Sequence, residues 1–338
     1  MSTGFRIGRR LALALPGLAL PGLVLTPRRA EAQGSAQGAL QGGGGAPLRL
    51  VVPFPAGTTP DTLARLYGAS VSGPLGQPVV VENRAGGGGM IAAEYVARAA
   101  PDGNMLFVGS NGPMAITRHI TERMSFDPER DFRSVAFLGV SMQVLVVRPG
   151  LSTDLAGFLA LARAQEVNYG SVGAGSAGHL FMAGLVSQAG LKGQHVPYRG
   201  APQALLEIAA GRLDVMVAAI GSAIPLIREG KVVPLAVTGP GRDPLLPEVP
   251  SFEQAGVPGF VLPVWNALFA QRTVPDAVVE RIAKALADAQ KDETVRRGVT
   301  AAGFTVETRD PAAMDRFIAQ ESARWGEIAR ATGVRLTD

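Results

Sequence analysis

The sequence predicts an α/β protein of mixed, mainly parallel sheets flanked by helices on both faces. Three observations predict it. Short apolar runs of strand length alternate with segments of helical periodicity along most of the 338 residues. The stretch Leu48–Asp61, LRLVVPFPAGTTPD, joins an apolar run to a Gly/Thr turn and a helix start. Hydrophobic residues make up 47% of the chain and charged residues only 18%, which favours substantial cores over disorder. The length suits two domains rather than one.

Taken in order, residues 1–32 have a basic start (Arg6, Arg9, Arg10), an apolar run and the small-x-small triplet Ala30-Glu31-Ala32. That pattern predicts a secretory leader cleaved after Ala32. The run from Leu11 to Leu25 is broken by Pro16 and Pro21 and falls short of the roughly 20 residues needed to span a bilayer. Arg9-Arg10 leaves both the general and the twin-arginine export routes open. Residues 33–47, rich in Gly, Ala and Gln, read as a flexible linker.

Leu48, Leu50, Val51 and Val52 form a buried strand that Pro53 and Pro55 end, because proline cannot donate to a ladder. Gly57, Thr58 and Thr59 make a tight turn, and Asp61 stands at the start of a helix over LARLYGASV. Such a junction is either an ordinary βα loop or a cradle for an anion, since orphan amides and the positive end of the helix dipole meet there. Strands follow at 79–83, 104–110 and 144–147, and helices at 90–100 and 154–165. Further units are VNYGSVG, HLFMAGLVSQA, APQALLEIAAG, LDVMVAAI and VPLAVTG. Near the C-terminus, Val278, Val279, Ile282, Ala283 and Leu286 share one helical face, and Trp325 sits in a second helix as a core residue.

The formal charge of +4 comes from the leader, whose five arginines face one glutamate, so the remaining chain is neutral. No basic footprint for nucleic acid survives. Cysteine is absent, which excludes disulfides, thiolate metal sites and cysteine nucleophiles. The segment Gly173–Gly178 spells GxGxxG, but the first acid beyond it, Glu207, is 29 residues on and inside a helical pattern, a poor match to a dinucleotide site. Ser176 in AGSAG could be a nucleophile elbow, yet no acidic residue lies between it and the last histidine, His195, so the order Ser, acid, His cannot be built. His119, His179 and His195 lack metal-ligand spacing. No cofactor, no metal and no catalytic residue is expected.

The motifs PFPAGTTPD, VVVENRAGGGGMIAAEYVARAAPDG, YGSVGAGSAGHL and HVPYRGAPQALLEIAAGRLDVM, in that order from about Leu48 to Val334, resemble the periplasmic solute receptors of tripartite tricarboxylate transporters, often called the Bug family. The resemblance implies a two-lobed periplasmic binding protein fold (type II-like) with a ligand cleft between the lobes. Residues 48–143 plus 258–338 would form lobe 1 and 144–257 lobe 2, with crossings near Val144–Arg148 and Ala267–Ala270. It also implies a monomeric receptor, not an enzyme, that holds a small organic carboxylate in the periplasm and passes it to membrane permease subunits. The ligand would be held by amides and hydroxyls of Ala56, Gly57, Thr58, Thr59 and Asp61, of Ser110 and Asn111, and of Ser171, Gly173, Ala174, Gly175, Ser176 and His179, with Ala219 and Trp265 on the walls. Asp61 is as well suited to capping the helix as to touching a ligand.

The chain departs from the family pattern at Thr58, where a second glycine is usual, at Ala218-Ala219, where a polar pair is common, and at Asn266, where an aromatic is frequent. These departures imply a ligand less polar than a tricarboxylate or an acidic amino acid. An exported hydrolase using Ser176 and a receptor coupled to a sensor are the alternatives.

Overall fold

The computed structural model describes residues 46–336. The leader lies outside the described residues, as does all of the linker except Ala46 and Pro47.

Two five-stranded sheets form the two lobes. The first has the order β2-β1-β3-β10-β4, from β1 (Leu48–Val52), β2 (Val79–Asn83), β3 (Met105–Ser110), β4 (Phe132–Ser141) and β10 (Val264–Gln271). The second has the order β7-β6-β8-β5-β9, from β5 (Gln143–Val147), β6 (Val167–Ser171), β7 (Gly193–Pro197), β8 (Val215–Ala219) and β9 (Val233–Val237). β1 is parallel to β2 and β3, and β6 is parallel to β7 and β8. β10 runs against both of its neighbours, as does β5. Four strands of each sheet therefore point one way, and the single reversed strand is the first one the chain lays down after crossing over. β1 and β3 read as near-continuous apolar runs because helices cover both faces of their sheet.

The outgoing link between sheets is Met142 alone, between Ser141 and Gln143. The segment Val144–Arg148, where a crossing was expected, lies in β5 and the residue after it. The return link is 238–263, ahead of the expected Ala267–Ala270, which is inside β10. The two links meet at Thr238, which is fully buried. Its hydroxyl accepts from the Gln143 amide at 2.9 Å and donates to the Leu262 carbonyl, and its own amide donates to the Gln143 carbonyl.

Ten helices fill the outer layers of the described residues. Those that matter here are α1 (Thr59–Leu75), α2 (Met90–Ala97), α5 (Ala177–Ala189), α7 (Ile220–Arg228), α8 (Asp276–Ala289), α9 (Glu293–Ala301) and α10 (Pro311–Thr332). α8 buries Val278, Val279, Ile282 and Leu286, with Ala283 at the margin of that face. α10 packs on β4 near its start and on α5 of the other lobe, and Trp325 is fully buried. Among the described residues no helix is long and apolar enough to cross a membrane.

Glu321 of α10 is a buried carboxylate that draws three elements together. Its Oε2 accepts from Trp265 Nε1 at 3.3 Å, Trp325 Nε1 at 3.2 Å and Asn111 Nδ2 at 3.1 Å. Removing the acceptor would strand three buried donors at about 1–3 kcal/mol each. Glu321→Ala should therefore lower the unfolding free energy by about 3 kcal/mol or more in urea, and Glu321→Gln, which keeps a carbonyl oxygen, by clearly less. Equal loss in both variants would mean that acceptance by Glu321 is not what stabilises this junction.

Candidate ligand cleft between the lobes

Between the two sheets lies a cavity of about 740 Å³, the open space at its mouth included. Lobe 1 contributes Phe54, the first turn of α1, Gly88, the end of β3 (Ser110 to Gly112), Ser141, and Val264 and Asn266 of β10. Gln143, Val172, Ser176 to Gly178, Ala201, Val217 to Ala219 and Ser222 come from the second lobe, and Phe304 closes one side. None of these lining residues is charged.

The lobes touch over the cavity. Thr59 Oγ1 and Ser222 Oγ are 2.8 Å apart, a hydrogen bond from the first turn of α1 to the first turn of α7. Two glycines make the approach possible. Gly88, at φ 63°, has no room for a side chain, since a Cβ would stand 2.5 Å from the Ala174 carbonyl oxygen of the opposite loop. A Cβ on Gly221 would overlap the carbonyl of Ala302. The cleft is thus in a closed arrangement.

Of the residues expected to hold a ligand, Thr58, Thr59, Ser110, Asn111, Ser176 and Ala219 line the cavity. The others do not, and for most of them the hydrogen bonding gives the reason. The Gly57 amide donates to Asp61 Oδ2 at 2.9 Å and the Thr58 amide to the Pro55 carbonyl. Gly173 N donates to Ser171 Oγ, Ser176 N to the Gly173 carbonyl, and Gly175 N to His179 Nδ1. These loop amides are spent holding the loops in shape, while Ala56 and Gly57 are exposed on the outside of their turn. Ala174 instead presses its carbonyl against Gly88.

Asp61 binds Gly57, Arg65 and Asn83. Burial alone would raise its carboxyl, but the Arg65 guanidinium and the Gly57 and Asn83 donors hold it below the usual carboxylate range. It fixes the turn and does not face the cavity. Trp265 is fully buried, with its indole given to Glu321. Asn111 lines the cavity, yet its Oδ1 accepts from Trp265 N and its Nδ2 serves Glu321. The Thr58 hydroxyl donates to the Pro55 carbonyl at 2.7 Å, so the departure at that position supplies no free donor.

Four of the lining residues, Thr59, Ser176, Ala177 and Gly178, stand at helix starts. The Ser176 hydroxyl accepts from His179 N as the cap of α5, which leaves its hydrogen for another acceptor. The amides of Thr59, Ala177 and Gly178 stand at helix starts, where no intrahelical carbonyl exists to receive them. Two helix N-termini facing one neutral cavity form a site for an anion. Of these residues the sequence analysis named Thr59 and Ser176, but not Ala177 and Gly178. It also missed Ser141, Gln143 and Ser222, for which the only signal is their place beside the crossing and after LDVMVAAI.

Behind the second loop, His179 and His195 stack with ring centroids 3.8 Å apart and Tyr169 stacks on His195. Ser171 Oγ is 2.7 Å from His195 Nε2, but Ser171 is fully buried and outside the cavity. The other serine–imidazole pair among the described residues, Ser322 with His119, is outside it too. Ser176 itself is bonded to a backbone amide, not to an imidazole.

The family described as tripartite tricarboxylate transporter family receptor matches residues 63–334. A protein of Pseudomonas sp. strain P51, known as the UPF0065 protein in the tcbD-tcbE intergenic region, is 36% identical over 332 residues, covering 95% of this chain and 94% of its own. Rpa4515 of R. palustris, solved with adipate, superposes with a TM-score of 0.83 at 32% identity, over 87% of this chain and 99% of its own. MatC of Rhodopseudomonas palustris, solved with bound malate, gives a TM-score of 0.80 at 33% identity, over 83% and 98% of the two chains.

Two outcomes follow from the cleft geometry. Gly221→Ala should prevent full closure, so a carboxylate that contracts the parent in small-angle scattering should leave this variant's radius of gyration unchanged; equal contraction would show that the Gly221–Ala302 contact does not gate closure. Burial pushes His179 down to about 4, and burial with the neighbouring His179 pushes His195 down to about 4. The unfolded chain takes up these protons near pH 6.5, so stability is lost as pH falls from about 6.5 towards 4. The urea midpoint should drop through that window, and His179→Asn with His195→Gln should flatten the slope. An unchanged slope would contradict the neutral pair.

Proposed function

The chain belongs to the receptor family of tripartite tricarboxylate transporters, and from that membership we propose that it is a solute-binding protein which captures a small organic carboxylate and delivers it to the permease subunits of such a transporter. The observation that carries this reading is the neutral cleft, in which first-turn amides of α1 and α5 and the Ser176 hydroxyl converge without a charged side chain. Aimed amides hold a carboxylate through charge-assisted hydrogen bonds and need no arginine. Adipate and malate, the ligands in the two solved relatives, are both small organic carboxylates.

On this reading the protein works in the periplasm after removal of a leader near Ala32, as a monomer with lobes close to 48–143 plus 258–338 and 144–257. It binds no nucleic acid and carries out no reaction. Hinge closure about the Met142 and 238–263 links traps the ligand, and the Thr59–Ser222 bond is formed on closing. The hydrolase alternative is disfavoured by Ser176, whose hydroxyl is engaged by the His179 amide and has no imidazole base.

Thermal unfolding of the purified protein against malate, adipate, other small carboxylates and neutral analogues tests the function. A ligand specific to the folded state adds RT ln(1 + [L]/Kd), about 2.7 kcal/mol at a hundredfold excess over Kd. Stabilisation by one or a few acids is expected. Stabilisation by neutral compounds and by no acid would overturn the carboxylate reading.

A further inference from the structure

Two buried polar atoms of the cavity have no hydrogen-bond partner among the described residues, Ser141 Oγ and Asn266 Oδ1. Ser141 is 3% exposed and Asn266 1% exposed, and both line the cavity. A buried polar group left unpaired is costly, so a protein that keeps two of them in its ligand cleft gains from a ligand that satisfies both.

The orientation of Asn266 fixes what that ligand group must be. Its Nδ2 donates to the Gly109 carbonyl at 3.4 Å, which leaves Oδ1, an acceptor only, as the unpaired atom of this cavity-lining residue. A second carboxylate at this place would meet a carbonyl lone pair. An ammonium could donate, but no lining residue is anionic to compensate its burial. A neutral donor remains.

Ser141 narrows the choice. In the β4–β10 pairing Ser141 lies opposite Val264, and Asn266 is two residues further along β10. The two side chains are diagonal neighbours on one face, with Cβ atoms roughly 7 Å apart. A hydroxyl between them donates to Asn266 Oδ1 and accepts from Ser141 Oγ, so one ligand group satisfies both atoms. Val217, Ala218, Ala219, Val264 and Phe304 offer an apolar surface to the rest of the ligand. The first turn of α1 follows β1, which stands two strand positions from β10, roughly 10 Å in interstrand spacings. Carboxylate and hydroxyl therefore belong at opposite ends of a short aliphatic chain.

We propose that Ser141 and Asn266 form a neutral distal subsite, and that the ligand class is aliphatic monocarboxylates bearing a distal hydroxyl rather than dicarboxylates. The proposal rests on the receptor reading given above. Isothermal titration of the protein with 6-hydroxyhexanoate, adipate and hexanoate, and with 4-hydroxybutyrate, succinate and butyrate, compares three end groups at two lengths. In at least one series the hydroxy acid should bind about tenfold or more tighter than the diacid and the plain acid, the effect of pairing one to two buried polar atoms. In Asn266→Leu and in Ser141→Ala that preference should shrink to within about threefold, with the circular-dichroism spectrum and the thermal midpoint of the unliganded variants reporting an intact fold. Ser141→Ala removes a single oxygen and carries the test alone if Asn266→Leu does not fold.

Diacids binding as tightly as hydroxy acids in both series, or a hydroxyl preference that survives in Ser141→Ala, would overturn the distal subsite and leave the receptor standing. Failure of every acid to bind would overturn the receptor reading itself, and the subsite with it.

Discussion

The hydroxyl of Thr238 accepts from the Gln143 amide and donates to the Leu262 carbonyl, so the outgoing and returning segments of the chain are joined at one buried side chain. With Met142 as the whole of the outgoing link, relative motion of the lobes is confined to a few dihedrals close to this point. The cavity opens directly beyond it, and Ser141 and Gln143 are both hinge neighbours and cavity walls. On the receptor reading, a change of hinge angle moves cavity walls directly, with no intervening element to transmit it. On the far side the lobes approach backbone to backbone at Gly88 and Gly221 and through side chains at Thr59 and Ser222.

On the receptor reading, the absence of charge among the lining residues suits the release of a ligand. A buried ion pair to an arginine would tie affinity to a large desolvation cost and a large Coulombic gain, and small errors in geometry would matter greatly. Helix first turns offer fixed partial charges that need no reorganisation. Their geometry depends on the loops behind them, and the inward-turned hydrogen bonds of Gly57, Thr58, Gly173 and Gly175 fix those loops. The stacked His179 and His195 brace the second loop, one through Gly175 and the other through Ser171.

The fold was legible where periodicity is strong. β1, β2, β3 and α8 follow from their apolar patterns, and the mainly parallel character follows from their alternation. β4, β10 and α9 were not marked. β10 carries Asn266 and Gln271 inside an apolar strand and gains its place only by insertion between β3 and β4, a long-range fact that no local pattern encodes. In the site, sequence located both loops but not which amides were free, because that depends on bonds such as Gly175 to His179 that form only in the folded loop. Trp265 and Asn111 were placed at the ligand by the family resemblance and by position at a strand end; the structure gives Trp265 Nε1 and Asn111 Nδ2 to Glu321, 56 and 210 residues away. Asn266 was recognised as unusual, but which end of its amide is left unpaired follows from the Gly109 carbonyl.

The return of the chain to the first sheet as β10 has a consequence for modularity. The second sheet is one continuous stretch, β5 to β9, inserted between β4 and β10 of the first, so no single cut divides the chain into two pieces that each carry a whole sheet. An ancestor or an engineer wishing to swap one lobe must change the chain at two places, at Met142 and within 238–263, and must carry Thr238 with its partners across both joints. A reporter inserted at Met142 would sit at the point of largest angular change but would displace the Gln143 amide from Thr238. Inserted in the return link away from Leu262, it would feel the same rotation and leave the clasp whole.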